Sequence, residues 1–200
     1  MQRRSQEDRS RNTRAALEQA GRRLFAERGF AATSAEQLVA AAGVTRGALH
    51  HHYGDKRGLF LAVLEQIETE ATAEIAAAVA AVDPADVVAG MTVGLAHFLD
   101  ICARPEMLRI VLMDAPTVLG WPAFREFEAR HGLGLITGEL QRAVDAGLVP
   151  AVPVPVLAQL LLSAIAEASL IVAHADDPDR ARLETQQSLL LILAGLLRQG

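Results

Sequence analysis

The residues best suited to chemistry fall between Ser34 and Lys56, in the run SAEQLVAAAGVTRGALHHHYGDK. Thr45, Arg46 and Gly47 stand together there, and Lys56 is the only lysine in the chain. An arginine fork bonds a guanine edge in bidentate fashion, and glycine lets the backbone approach closely. Three consecutive histidines, His50, His51 and His52, suggest a metal site at first sight. Successive helical side chains diverge by about 100°, so three in a row cannot converge on one ion. Neither His-Glu-x-x-His nor Cys-x-x-Cys occurs. Glu128 and His131 have the Glu-x-x-His spacing of di-iron bundles, but the second copy and further glutamates such a site needs are missing. The chain has no Gly-x-Ser-x-Gly elbow and no phosphate-cradling glycine loop, and Cys102 has no sequence partner that marks it as reactive. No catalytic residue, no metal and no cofactor is therefore expected.

The elements that must present Thr45–Gly47 are short helices. Nothing reads as strand, while alanine and leucine dominate and apolar residues recur at i, i+3, i+4, so the fold class is all-α. From Arg11 to Arg28, Leu17, Ala20, Leu24 and Phe25 form one apolar stripe, and Gly29 follows as a stop. Ser34 with Gln37 has capping-box spacing, opening a helix that Gly43 ends. Thr45 caps the next, over Arg46–Tyr53, and Asp55 caps a long fourth helix running towards Asp83-Pro84. The second and third helices, joined at Ala42-Gly43-Val44, make a helix-turn-helix whose second helix is the reader, with Thr45, Arg46 and Gly47 entering the major groove. Five further helices are predicted at about 84–102, 105–113, 121–146, 153–175 and 178–198, nine in all. The last two are apolar almost all round, which predicts burial against a second subunit.

Charge divides in the same place. Residues 1–60 carry eleven Lys and Arg against six Asp and Glu, a net of +5; the remainder carries 8 against 18, a net of −10, giving −5 overall. A basic head on an acidic body is the footprint of a protein that meets phosphate at one end only. With a single cysteine there is no intramolecular disulfide. The charged N-terminus lacks an apolar signal core, and the longest apolar run, Leu189–Leu197, is short of the ~20 residues of a membrane span. A cytoplasmic location without a membrane anchor is expected.

The head resembles the TetR family of one-component transcriptional regulators. Gly29-Phe30, Ala32-Thr33-Ser34, Ala42-Gly43-Val44, Leu49, His52-Tyr53, Gly54-Asp55-Lys56 and Leu59-Phe60 fall where that family's pattern expects them. The resemblance implies that Ser34 and Lys56 bind phosphates and that Thr45, Arg46, Gly47, His50 and His51 face DNA. It implies domains at 1–56, for DNA binding, and 57–200, a helical bundle for ligand binding and dimerisation. The family usually has tyrosine at the position of His50, where it reaches a backbone phosphate. Histidine donates there too, and its protonation adds charge attraction, so operator affinity is expected to rise as pH falls.

In that family the body holds a small-molecule pocket, and its last two helices pair with those of a second subunit. Candidate pocket residues are Met91, Phe98, Met107, Met113, Trp121, Phe124 and Phe127, with His97, Cys102 and His131 as polar anchors. Glu167, a carboxylate inside the very apolar SAIAEASLIVA, is expected to find a partner in the pocket or at the dimer seam. The implied function is a homodimeric, ligand-responsive repressor on palindromic operator DNA; the alternative is a DNA-binding regulator whose body binds a protein.

Overall fold

Capping explains where the helices of the head begin. In the computed structural model, which describes residues 2–197 and the side chains of residues 6–197, Ser34 Oγ accepts from the Gln37 N–H at 3.2 Å while Gln37 Oε1 accepts from the Ser34 N–H at 2.8 Å. That reciprocal pair opens α2, Ala35–Ala42. Thr45 caps α3, Arg46–Tyr53, through the Ala48 N–H, and Asp55 accepts from the Gly58 N–H at 2.8 Å at the start of α4, Lys56–Ala80. Helix α1, Gln2–Ala32, begins nine residues before the expected Arg11 and is interrupted at Gly29, where the stop was expected. Between α2 and α3, Gly43 takes φ 65°, a left-handed conformation that suits glycine, and the Val44 N–H returns to the Val39 carbonyl at 3.0 Å.

The body continues with α5, Val87–Cys102, capped by Asp86. The segment expected as a helix at 105–113 is instead π-helical over Met107–Asp114 and passes into the short α6, Ala115–Leu119. The predicted 121–146 helix is two, α7 over Trp121–Arg130 and α8 over Gly132–Asp145, broken at His131 where Gly132 and Gly134 follow closely. Helix α9 spans Val154–Ala173 and α10 spans Pro178–Leu196. The predicted end of the last helix at Arg198 lies outside the described residues. Ten α-helices and one π-helix are thus present among the described residues, and no strand.

The chain packs as two units, residues up to Ile67 with Pro105–Gly120, and Glu68–Arg104 with residues from Trp121 onward. The division read from the sequence fell at 56/57, because nothing local shows that the first turns of α4 and a distant segment join the head. In the first unit Phe60 meets Phe25 and Phe30 edge-on, with centroids 5.1–5.2 Å apart, beside fully buried Leu17, Leu38 and Leu59. Pro105–Gly120 is pinned to α1 by polar contacts: Glu106 takes a bidentate pair of 2.6 Å bonds from Arg22, and Asp114 Oδ2 accepts from the Phe30 N–H at 2.6 Å, just past the Gly29 break. In the second unit Leu140, Ala143, Val149, Val154 and Ala158 form the centre of the core.

By length and composition α9 is apolar enough to cross a membrane, a property the sequence reading did not pick out. It packs against α8 and α10 along one face. The other face leaves Val156, Leu160 and Ile171 at least half exposed, in register with exposed Glu167.

Candidate nucleic-acid interface and body cavity

The reading helix is held from behind and left bare in front. Its one buried residue, Leu49, anchors it, and the Tyr53 hydroxyl donates to Glu18 of α1 at 2.7 Å. Burial first, then that hydrogen bond, pushes the Tyr53 phenol up to about 12, so it stays a neutral donor. Gly58 completes the joint: a Cβ there would stand 1.9 Å from the Tyr53 carbonyl oxygen, so only glycine lets α4 start this close to the end of α3. Thr45, Arg46, Gly47, His50 and His51 are all exposed on this rigid frame, and Ser34 is half-buried at the start of α2. Each of the five on α3 and its cap is therefore open to an outside partner.

Three groups are partly committed. Arg46 Nη1 pairs with Glu36 at 2.7 Å, both side chains lying well in solvent. The Glu36 carboxyl is held below its ordinary value, chiefly by a backbone hydrogen bond, then by Ser34 and the Arg46 charge. Lys56 Nζ donates to the Phe30 and Thr33 carbonyls, each at 2.8 Å, and lies 4.1 Å from the Phe30 ring centroid. An ammonium has three donors, so one remains for an outside acceptor while two close the end of α1. His50 turns Nδ1 to the Gly54 carbonyl at 2.6 Å. Arg11, which the sequence reading did not select, shares a surface groove with Ser10 and His51. The signal for it was the basic run at the N-terminus, MQRRSQEDRSR.

The second unit holds a cavity of about 90 Å³ among α4, α5, α8, α9 and α10. That is well above the ~10–15 Å³ that admits one water, and its wall is almost wholly apolar. Of the expected residues Met91 and Phe98 line it. The rest do not. Met107 is buried in the π-helix of the first unit, and Met113, also there, is exposed. Trp121 is 60% exposed with the Arg125 guanidinium 4.2 Å from its ring centroid, while Phe124 and Phe127 are buried on α7. His131 stacks near Phe127 at 4.6 Å between centroids, and Glu167 is in solvent rather than buried within the chain. Alternation along α9 accounts for this, since Glu167 lies seven residues from Leu160 and four from Ile171, on the outer face.

Helices α8 and α9 supply wall residues that the sequence reading missed, among them Ile136, Glu139, Leu161 and Ile165. Cys102 is buried elsewhere, its thiol pushed up to about 12 by burial first, against a Ser169 hydrogen bond that lowers it. Glu128 is also raised by burial, with Arg125 pairing at 2.9 Å opposing the shift. Among the described residues no group of three or more His, Cys, Asp or Glu side chains is placed to hold a metal.

Comparison with known proteins gives a consistent match. Residues 18–63 match the family described as bacterial regulatory proteins, tetR family, and residues 88–196 match the tetracyclin repressor-like C-terminal domain. A TetR-family transcriptional regulator from Pectobacterium atrosepticum has 34% identity over 96% of this chain and 97% of its own, with a TM-score of 0.79. The HTH-type transcriptional repressor AcnR of Corynebacterium glutamicum is 41% identical over 59 residues, 30% of this chain, and the match spans only 31% of that repressor's length. SmeT, the repressor of a Stenotrophomonas maltophilia multidrug efflux pump, shares the fold at 20% identity over 94% of each chain, with a TM-score of 0.70, and has been solved as a triclosan complex.

Proposed function

The chain belongs to the TetR family of bacterial transcriptional regulators, and we propose that it acts as a homodimeric repressor of palindromic operator DNA, released by a small apolar or amphipathic effector. The observation that carries the reading is the exposed N-terminal end of α3, Thr45, Arg46 and Gly47, on a helix fixed from behind by Leu49 and Tyr53. The unit containing α1 to α3 is the DNA-binding head, and the unit containing α8 to α10 binds the effector and the second subunit. Lys56 offers its third N–H to a phosphate oxygen, and the Ser34 hydroxyl exchanges the Glu36 carboxylate for another. Arg46 exchanges the Glu36 carboxylate for a base edge, and His50 and His51 stand beside the backbone. The protein works in the cytoplasm, where its operator is, and as a regulator rather than an enzyme.

The cavity favours a small molecule over a protein as the signal, because its concave and almost wholly apolar lining, with one charged side chain, suits a small ligand. That SmeT has been solved with triclosan supports the same reading. An effector that binds one conformation of the body more tightly than another lowers DNA affinity by linkage. Fluorescence anisotropy with duplexes from the chain's own upstream region tests the whole. A preference for one duplex over scrambled DNA and heparin is expected, and Arg46→Ala should shrink that preference by about 1–3 kcal/mol. Equal binding to every polyanion would overturn the reading.

A further inference from the structure

Among the side chains that line the cavity, one is polar: Glu139 of α8. The cavity wall opposite is unusual in lacking side chains. Gly90 and Gly94 lie one turn apart within α5, where each glycine costs a helix about 1 kcal/mol relative to alanine. A Cβ on Gly90 would stand 3.2 Å from Glu139 Oε2, so the missing side chain is what lets the carboxylate lie against α5. Arg142 Nη1 donates to both Glu139 oxygens, at 2.9 and 3.1 Å, and its Nη2 donates to the Pro84 carbonyl at 2.6 Å. A second depression adjoins the first and shares Gly90 and Glu139 with it, adding Asp83, Asp86 and Arg142. Glu139 thus lines both depressions, whereas Arg142 lines the second alone.

We infer that this cavity takes a small lipophilic amine, its apolar body among the aliphatic wall and its ammonium on Glu139. The inference rests on reading the cavity as the effector site. A carboxylate only accepts hydrogen bonds, and after two from Arg142 it still has lone pairs to offer. An ammonium supplies donors together with opposite charge, in an apolar wall where charge-assisted bonds are strongest. The adjoining depression holds three acids, Asp83, Asp86 and Glu139, against one arginine, a balance that favours a cation over an anion beside Glu139.

Three probes of one shape separate head group from body: cyclohexylmethylamine, cyclohexylmethanol and cyclohexanecarboxylate, each titrated calorimetrically into the full-length protein. The amine is expected to bind about tenfold or more tighter than the alcohol, with the carboxylate weakest. Glu139→Gln should weaken the amine by a similar factor and leave the alcohol nearly unchanged. Arg142→Gln should tighten the amine, a gain that a merely damaged fold would not produce. Amine and alcohol binding alike, carboxylate binding best, or an amine indifferent to Glu139→Gln each overturns the inference while the effector site stands. Failure of all three probes to bind removes both.

Discussion

At the end of α3, the His50 ring meets a carbonyl through Nδ1, at 2.6 Å from Gly54 oxygen, so that nitrogen carries the proton and the other, Nε2, only accepts while the ring is neutral. A phosphate oxygen also only accepts. The neutral ring therefore offers a phosphate no donor, whereas a tyrosine hydroxyl at this position does. His50→Tyr is expected to raise DNA affinity, measured by anisotropy at fixed pH and salt. His52 carries the pH dependence of this end of the head. Its pKa is lowered by burial first, then by His51 and Arg14, so the fold prefers its neutral ring. Stability of the head is full above the ordinary imidazole range and declines as pH falls through it. Cys102 gives a second test at this scale: with its thiol raised to about 12 by burial, it should resist thiol reagents near pH 8 in the native protein and react at once in denaturant. The histidine substitution was legible in the sequence because it departs from a local motif. Glu139 was not, since a glutamate on an amphipathic helix looks solvated until five helices close around it.

Helices of the head were legible because their boundaries are written in a few adjacent residues, Ser34 with Gln37, Thr45, and Asp55, and each cap forms as read. What stayed hidden is how elements meet. Gly58 lies in the first turn of α4 and only the packed structure shows the Tyr53 carbonyl beside it. Gly58→Ala is expected to destabilise the protein by roughly 2–4 kcal/mol in urea unfolding, since backbone rather than a flexible side chain must move. The π-helix was equally out of reach, because Met107–Asp114 has ordinary helical composition. Its Asp114 holds the Phe30 N–H at the point where Gly29 interrupts α1, and Arg109 pairs with the same carboxylate at 3.6 Å. Asp114→Ala leaves that N–H without its acceptor and should cost about 1–3 kcal/mol, whereas the exposed Asp8 next to Arg11 should be dispensable. The split of α7 from α8 did leave a trace, the glycines at 132, 134 and 138, which weaken any helix drawn through them.

For the whole molecule the decisive quantity is the apolar surface that a single chain leaves in water. Val156, Leu160 and Ile171 on α9, and Leu183 and Leu191 on α10, are each at least half exposed, and in each helix they recur at helical spacing along one side. Scattered exposed leucines need no explanation, but large exposed apolar residues concentrated on two consecutive helices that pack against each other mark a candidate face. A twofold pairing of this face with itself buries both rows, which is the geometry proposed for the homodimer. Leu160→Glu combined with Leu191→Glu places a charge in each row while leaving the buried residues Leu162 and Leu193 untouched. Sedimentation should then find a folded monomer with unchanged helicity. DNA binding should fall by about a hundredfold or more, because one head alone loses the effective concentration that a tethered second head provides. Glu167, set in the α9 row, gives the opposite sign: a carboxylate carried from water into a seam costs energy unless a partner meets it, so Glu167→Leu should tighten the dimer. A double variant that remains dimeric would move the interface elsewhere on the chain.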